Sequence, residues 1–463
     1  MQAKREYESL RPFNLFILLQ PPSGGTRESK INNPDCFSMD GRPNMSKYRM
    51  LLFVVVAFCG VSLYQYINVF TISSENTFLE LSKLTTHRGT VKEESRVLHI
   101  EDKNLLSASF FTYNLKRSMA LYRQKIAALK KHKIWSQLDP ISNCTGHEKG
   151  PQLCDDTRKC STSLPAANST DNIKSILTPL TKIKAGALEM LKDVFGVPSV
   201  KVKYVFLTAA SENHFTESQA MIETLSNNIL PHLKNYSFYY YDMGLKKNQV
   251  ELLQNFSKAV VTQFPFDRLP NRFANLRCYT WKPLILQAHF DSAEHVIWMD
   301  SSVRFTTHNP LEMFQRLKTT GVVMSSVKFP FAQHTSMQLF SYFNTDPCHY
   351  SMYQEIEANF ILLHNQPFVR RLIMDPWVAC AVDPNCMCHR GASRLFVCSR
   401  HTRKYGKCHR YDQSTIGLIL LKLFRRNIAT ILAPKGKYAH ISRSKESGHR
   451  YLEELYNKTR TRL

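Results

Sequence analysis

Three polar side chains stand where apolar runs stop. Ser211 follows KVKYVFLTAA, Asp242 falls near the end of YSFYYYDMGL, and Asp300 comes directly after VIWM. Parallel α/β sheets bind ligands outside the carboxyl ends of their strands, so a hydroxyl and two carboxylates at such ends mark a candidate site. Asp300 also has a plainer reading, as a strand-end cap or one half of a buried ion pair. A second constellation is sulfur-rich: Cys386, Cys388, His389, Cys398, Cys408 and His409 fall close together, which raises zinc. Their spacing, C-x-C-H and then C-x9-C-H, matches no common finger. Cys144, Cys154, Cys160, Cys278 and Cys348 join Cys380 and the four just named in an even set, which favours disulfides in an oxidising compartment.

The segments that must position these residues alternate in texture. Residues 201–210 read as a buried strand. Ala220, Met221, Leu225 and Ile229 recur at helical spacing, with Thr216 as the expected N-cap. Strands are expected at 236–245, 259–264, 296–299 and 321–326, and helices at 249–256, 277–290 and 413–424. Such alternation predicts a mainly parallel α/β sheet with right-handed crossovers, flanked by helices.

Residues 50–70, MLLFVVVAFCGVSLYQYINVF, carry no charged side chain and are long enough to span a bilayer. Arg42, Lys47 and Arg49 precede them, which orients the amino terminus toward the cytosol. The length favours an anchor over a cleaved signal peptide. Residues 1–49 then read as a cytosolic tail, 71–199 as a stem and 200–463 as the main domain. The half of the stem that carries Cys144, Cys154 and Cys160 is also able to pack on that domain. Asn-x-Ser/Thr acceptors at Asn143, Asn168, Asn235, Asn255 and Asn457 agree with passage through the secretory pathway. Lysine and arginine number 61 against 37 acidic residues, a net +24 that suits phosphorylated or sulfated partners and anionic headgroups. The basic residues are scattered and have no aromatic interleaving, which argues against nucleic acid.

The order YYYDMGL, RCYTWKPLILQ, VIWMDSSVRF, EANFILL and HRYDQSTIGLIL resembles the GT-A nucleotide-diphospho-sugar transferases. More narrowly, it is similar to a metazoan group of transferase-like proteins with an N-terminal anchor. The resemblance covers about 200–442 and implies a GT-A-like, Rossmann-like domain behind a transmembrane helix and stem. It implies a single-pass type II protein of the Golgi membrane that uses a nucleotide-sugar donor and a glycan or glycoprotein acceptor. It further implies Mn2+ or Mg2+ at an Asp-x-Asp segment, here Asp300-Ser301-Ser302, with His440 as the second expected metal ligand. Arg277 and Lys282 become candidates for the donor phosphates and Trp281 for a pocket wall, with core packing the alternative for Trp281. Asp412 becomes the candidate general base or the cap of the following helix, and Glu357 the rival base. Ser211, Asp242 and Ser302 complete the expected substrate-binding set. A binding protein of the same fold that has lost catalysis is the competing expectation.

Overall fold

The computed structural model describes residues 108–135, 168–184, 186–350, 353–392, 398, 405–406, 408–443 and 449–461. The expected tail and anchor lie outside the described residues, as do Asn143, Cys144, Cys154 and Cys160. Among the described residues, no helix is long and apolar enough to cross a membrane.

The strands are β1 (Val202–Ala210), β2 (Tyr236–Asp242), β3 (Val260–Gln263), β4 (Ala293–Met299), β5 (Val303–Phe305), β6 (Val322–Pro330), β7 (Gln354–His364) and β8 (Ala439–Ile441). The main helices are α1 (Ala108–Lys131), α2 (Ser169–Leu177), α3 (Phe215–Asn228), α4 (Lys247–Phe256), α5 (Trp281–Phe290), α6 (Pro310–Thr320), α7 (Asp375–Val382) and α8 (Tyr411–Phe424). Six strands form one sheet in the order β3-β2-β1-β4-β7-β6. β1 pairs in parallel with β2 and β4, and β2 with β3. β7 runs antiparallel to both β4 and β6, so one reversed strand sits inside a mainly parallel sheet. That reversal brings the start of β7 to the edge where β1, β2 and β4 end.

The central strands are apolar on both faces because both faces are covered. Tyr204, Phe206, Phe238, Tyr240, Ile297 and Met299 pack in one buried cluster. Val205, Leu207, Tyr241, Val296 and Trp298 pack in another on the opposite face. Two helices from the stretch expected as a stem join the second cluster. α1 contributes Met119, Tyr122 and Leu129, and α2 contributes Ile173, Ile176 and Leu177. The Tyr122 hydroxyl donates to the Leu423 carbonyl at 3.0 Å, tying α1 to the end of α8.

Three local boundaries differ from expectation. α3 begins at Phe215 behind a short 3-10 turn, Glu212–His214, so His214 and not Thr216 holds the cap position. The expected helix 277–290 is broken: Leu276–Cys278 is a 3-10 turn, and Tyr279 takes the left-handed region (φ 52°) before α5 starts at Trp281. Arg410 precedes α8, which leaves Asp412 inside the first turn and not at its cap.

Candidate active site

A cavity of about 830 Å³ opens at the carboxyl ends of β1 and β4. Ser211, Arg277, Trp281, Asp300 and Ser302 line it, together with His214, Glu217, Tyr279, Ser301 and Arg443. Five of the residues expected from sequence therefore converge on one cleft.

Beneath the floor lies Lys282, with a side chain only 2% exposed. Its ammonium is 2.6 Å from Asp412 Oδ2 and 3.1 Å from Asp300 Oδ1. It also donates to the Ala358 carbonyl at 3.0 Å, so all three of its N–H groups have an oxygen to meet. The rings of Tyr279 and Trp298 close over it, with their centroids 5.6 and 5.5 Å from Nζ. Burial works against the charged amine, but Asp300 and Asp412 outweigh it and hold the pKa above the ordinary lysine value. Burial raises the Asp412 carboxyl, and Lys282 opposes that rise. The buried-pair reading of Asp300 is therefore correct for one of its oxygens. The Trp298 indole also donates to that Oδ1, at 2.6 Å. The Asp300 side chain remains 25% exposed, which leaves it reachable from the cleft.

A second carboxylate, Glu217 on α3, was not anticipated from sequence. It accepts from the Ser301 hydroxyl at 2.7 Å and faces His214 Nδ1 at 3.1 Å. Burial alone would push its pKa up; the bonds from His214 and Ser301 hold it below the usual range. The bond to Glu217 raises His214 in turn. The short β5–β8 ladder delivers Arg443: Arg304 pairs with His440, and the Ser442 amide donates to the Ser302 carbonyl at 2.9 Å. Arg443 follows and reaches the cleft wall.

The other expected residues land elsewhere. Asp242 does not line the cavity; its Oδ1 accepts from the Gly244 and Leu245 amides at 2.8 and 2.6 Å. That turn sets the loop that presents Met243 to the cleft. His440 is exposed on β8 and is not part of the lining, whereas Arg443, two residues past the end of that strand, is. Arg277 is on the 3-10 turn and exposed, whereas Lys282 is buried in α5, so the two do not share one helix. Trp281 satisfies both readings, packing on Trp298 at 5.7 Å between centroids while bordering the cavity. Asp412 is buried under the floor. Glu357, half-buried near the start of β7, has its pKa raised by burial and lies within electrostatic reach of Arg443 and Asp300.

These residues do not fit a divalent ion. Asp300 already shares one oxygen between an ammonium and an indole, Ser302 offers no charge, and His440 is absent from the cleft. A lysine cation in the same position repels a metal. Among the described residues, the groups with three ligand atoms within 4.8 Å are His334–Cys398–Cys408 and Glu294–His295–His364, and neither contains Asp300. Cys398 and Cys408 are joined in a disulfide, as are Cys278–Cys388 and Cys380–Cys386, so the sulfur-rich constellation serves as a framework and not as a zinc site.

The family described as "Protein of unknown function (DUF1647)" matches residues 180–287. No curated protein matches the sequence. Solved structures that it resembles include glycosyltransferases. One is the bifunctional glycosyltransferase WbbM, at 13% identity and a TM-score of 0.31, over 57% of this chain and 45% of that one. Mouse xyloside xylosyltransferase 1 matches at 12% identity and TM-score 0.31, over 50% of this chain and 84% of its own. Core-mannan synthase A from Aspergillus fumigatus, in its Mn/GDP form, matches at 8% and 0.29, over 50% and 72%. The chain spans less than half the length of the first of these, and values this low carry no argument about its reaction.

Proposed function

We propose that this chain is a glycosyltransferase that moves a sugar from a nucleotide-diphosphate donor to a glycan or glycoprotein acceptor. In the same reading, residues 50–70 anchor it in the Golgi membrane with the domain in the lumen. The observation that carries the reading is the Lys282 cradle under a cleft large enough for a nucleotide sugar, at the strand ends where such sheets bind ligands. Arg277 and Arg443 on the cleft wall supply positive charge for the diphosphate, and His214, whose bond to Glu217 favours its charged form, lies beside them. Lys282 fixes Asp300 and Asp412 and supplies a permanent cation beneath the leaving group, so no step is assigned to a metal. Glu357 takes the proton of the acceptor hydroxyl; its oxygen then bonds to the anomeric carbon as the bond to the diphosphate oxygen breaks. Burial raises the basicity of Glu357, which suits that task. Asp412 is committed to Lys282 and acts as a positioning group.

A second reading, a catalytically inactive glycan-binding protein, is favoured by one observation: Asp300 Oδ1 is already tied by Lys282 and Trp298, and Ser302 stands where a second carboxylate is expected. Purified full-length chain in detergent, given a panel of nucleotide-diphosphate sugars, separates the two. We expect release of nucleoside diphosphate from at least one donor, at a rate a chelator does not lower. Turnover only with added manganese contradicts the lysine assignment. No turnover under either condition selects the binding reading.

A further inference from the structure

A second polar cavity, of about 610 Å³, lies between α2, the helix Met337–Tyr342 and the end of α8. Its wall carries Lys422, ten residues along α8 from Asp412 and therefore about 15 Å from it at the helical rise. Lys422 is 4% exposed, yet its amine meets no hydrogen-bond or ion-pair partner among the described residues. Two carboxylates line the same cavity, Asp171 and Asp346, and neither forms an ion pair with Lys422. Asp171 accepts from the Asn168 amide group at 2.7 Å, and Asp346 accepts from the Cys348 backbone amide at 2.8 Å. His349 and Lys174 also line the cavity, and Lys422 and His349 border, with Arg425, a small separate pocket beside it. Arg425 takes φ 43° and ψ −123°, a backbone conformation that costs free energy and is kept where surroundings demand it. Burial and the neighbouring Arg425 lower the Lys422 amine to about 7.

A buried ammonium without a counter-charge is unstable: it sheds its proton or takes an anion. We propose that this cavity binds a small ligand bearing one anionic oxygen group, a sulfate, phosphate or carboxylate, with Lys422 as its principal contact. The volume admits a monosaccharide-sized ligand as readily as a free ion. The site is separate from the Lys282 cleft, so it does not depend on the transferase reading.

The test is acetylation of the full-length chain with limiting reagent at neutral pH, read at each lysine by mass spectrometry. Lys422 should react faster than exposed Lys247, since a larger share of it is unprotonated. Inorganic sulfate, inorganic phosphate and glucuronate are then added separately. At least one should slow labelling of Lys422 without slowing Lys247; protection by glucuronate alone assigns a sugar acid, and protection by the inorganic ions a free oxyanion. In calorimetry, Lys422→Met should weaken that ligand at least about tenfold, as the loss of a charge-assisted hydrogen bond implies. The same variant should leave the denaturation midpoint unchanged or raise it, because an uncompensated charge has gone. No protection by any of the three ions, or equal affinity in Lys422→Met, overturns the proposal.

Discussion

Lys282 holds together two carboxylates that are 112 residues apart in the chain, and its removal exposes how much depends on it. Lys282→Met leaves Asp412 buried and unpaired. Breaking a buried pair in this way costs about 3–5 kcal/mol, to be measured by denaturant unfolding. Lys282→Met combined with Asp412→Asn should recover part of that loss, since the orphaned charge is gone. A single variant as stable as the parent would mean the cradle is not closed. Of the residues in the cleft, Ser211 and Asp300 were legible because each follows an apolar run. Arg277, Trp281, Lys282 and Ser302 came with the resemblance. Glu217, His214 and Arg443 were not, because an ordinary glutamate on a helix and an arginine after a short strand carry no local signature. Their roles come from contacts made far along the chain. Asp242 and His440 lie outside the cleft lining for the opposite reason: each has a suggestive position, but one side chain is used by a local turn and the other faces solvent.

The break before α5 shows how backbone shape sorts the basic residues. Tyr279 at φ 52° ends the Leu276–Cys278 turn, which keeps Arg277 at the cleft while Lys282 descends beneath it. The Cys278–Cys388 disulfide fastens that turn to the chain beyond α7. Apolar runs predicted the strands well because strands covered on both faces have no polar side to blur the pattern. The reversed direction of β7 was not legible, since an apolar run carries no sense of direction. The partner of α1 was not legible either, since Tyr122 and Leu129 meet α8 and the core only through contacts far along the chain. Leu129 is fully buried, so Leu129→Ala should cost about 2–5 kcal/mol in denaturant unfolding. A negligible cost would show that α1 behaves as a detached stem.

The net charge of +24 has a use in the account only where cations gather around an anion. Among the described residues two such places stand out, the Lys282 cleft with Arg277 and Arg443, and the Lys422 cavity on the other end of α8. The first is the one on which the proposed reaction stands. Calorimetric titration of the full-length chain with UDP and with GDP, in the presence of a chelator, tests it. The account predicts that one of them binds, and that Arg277→Ala and Arg443→Ala each weaken it at least about tenfold. Failure of both nucleotides to bind, or undiminished affinity in the double variant, would contradict it.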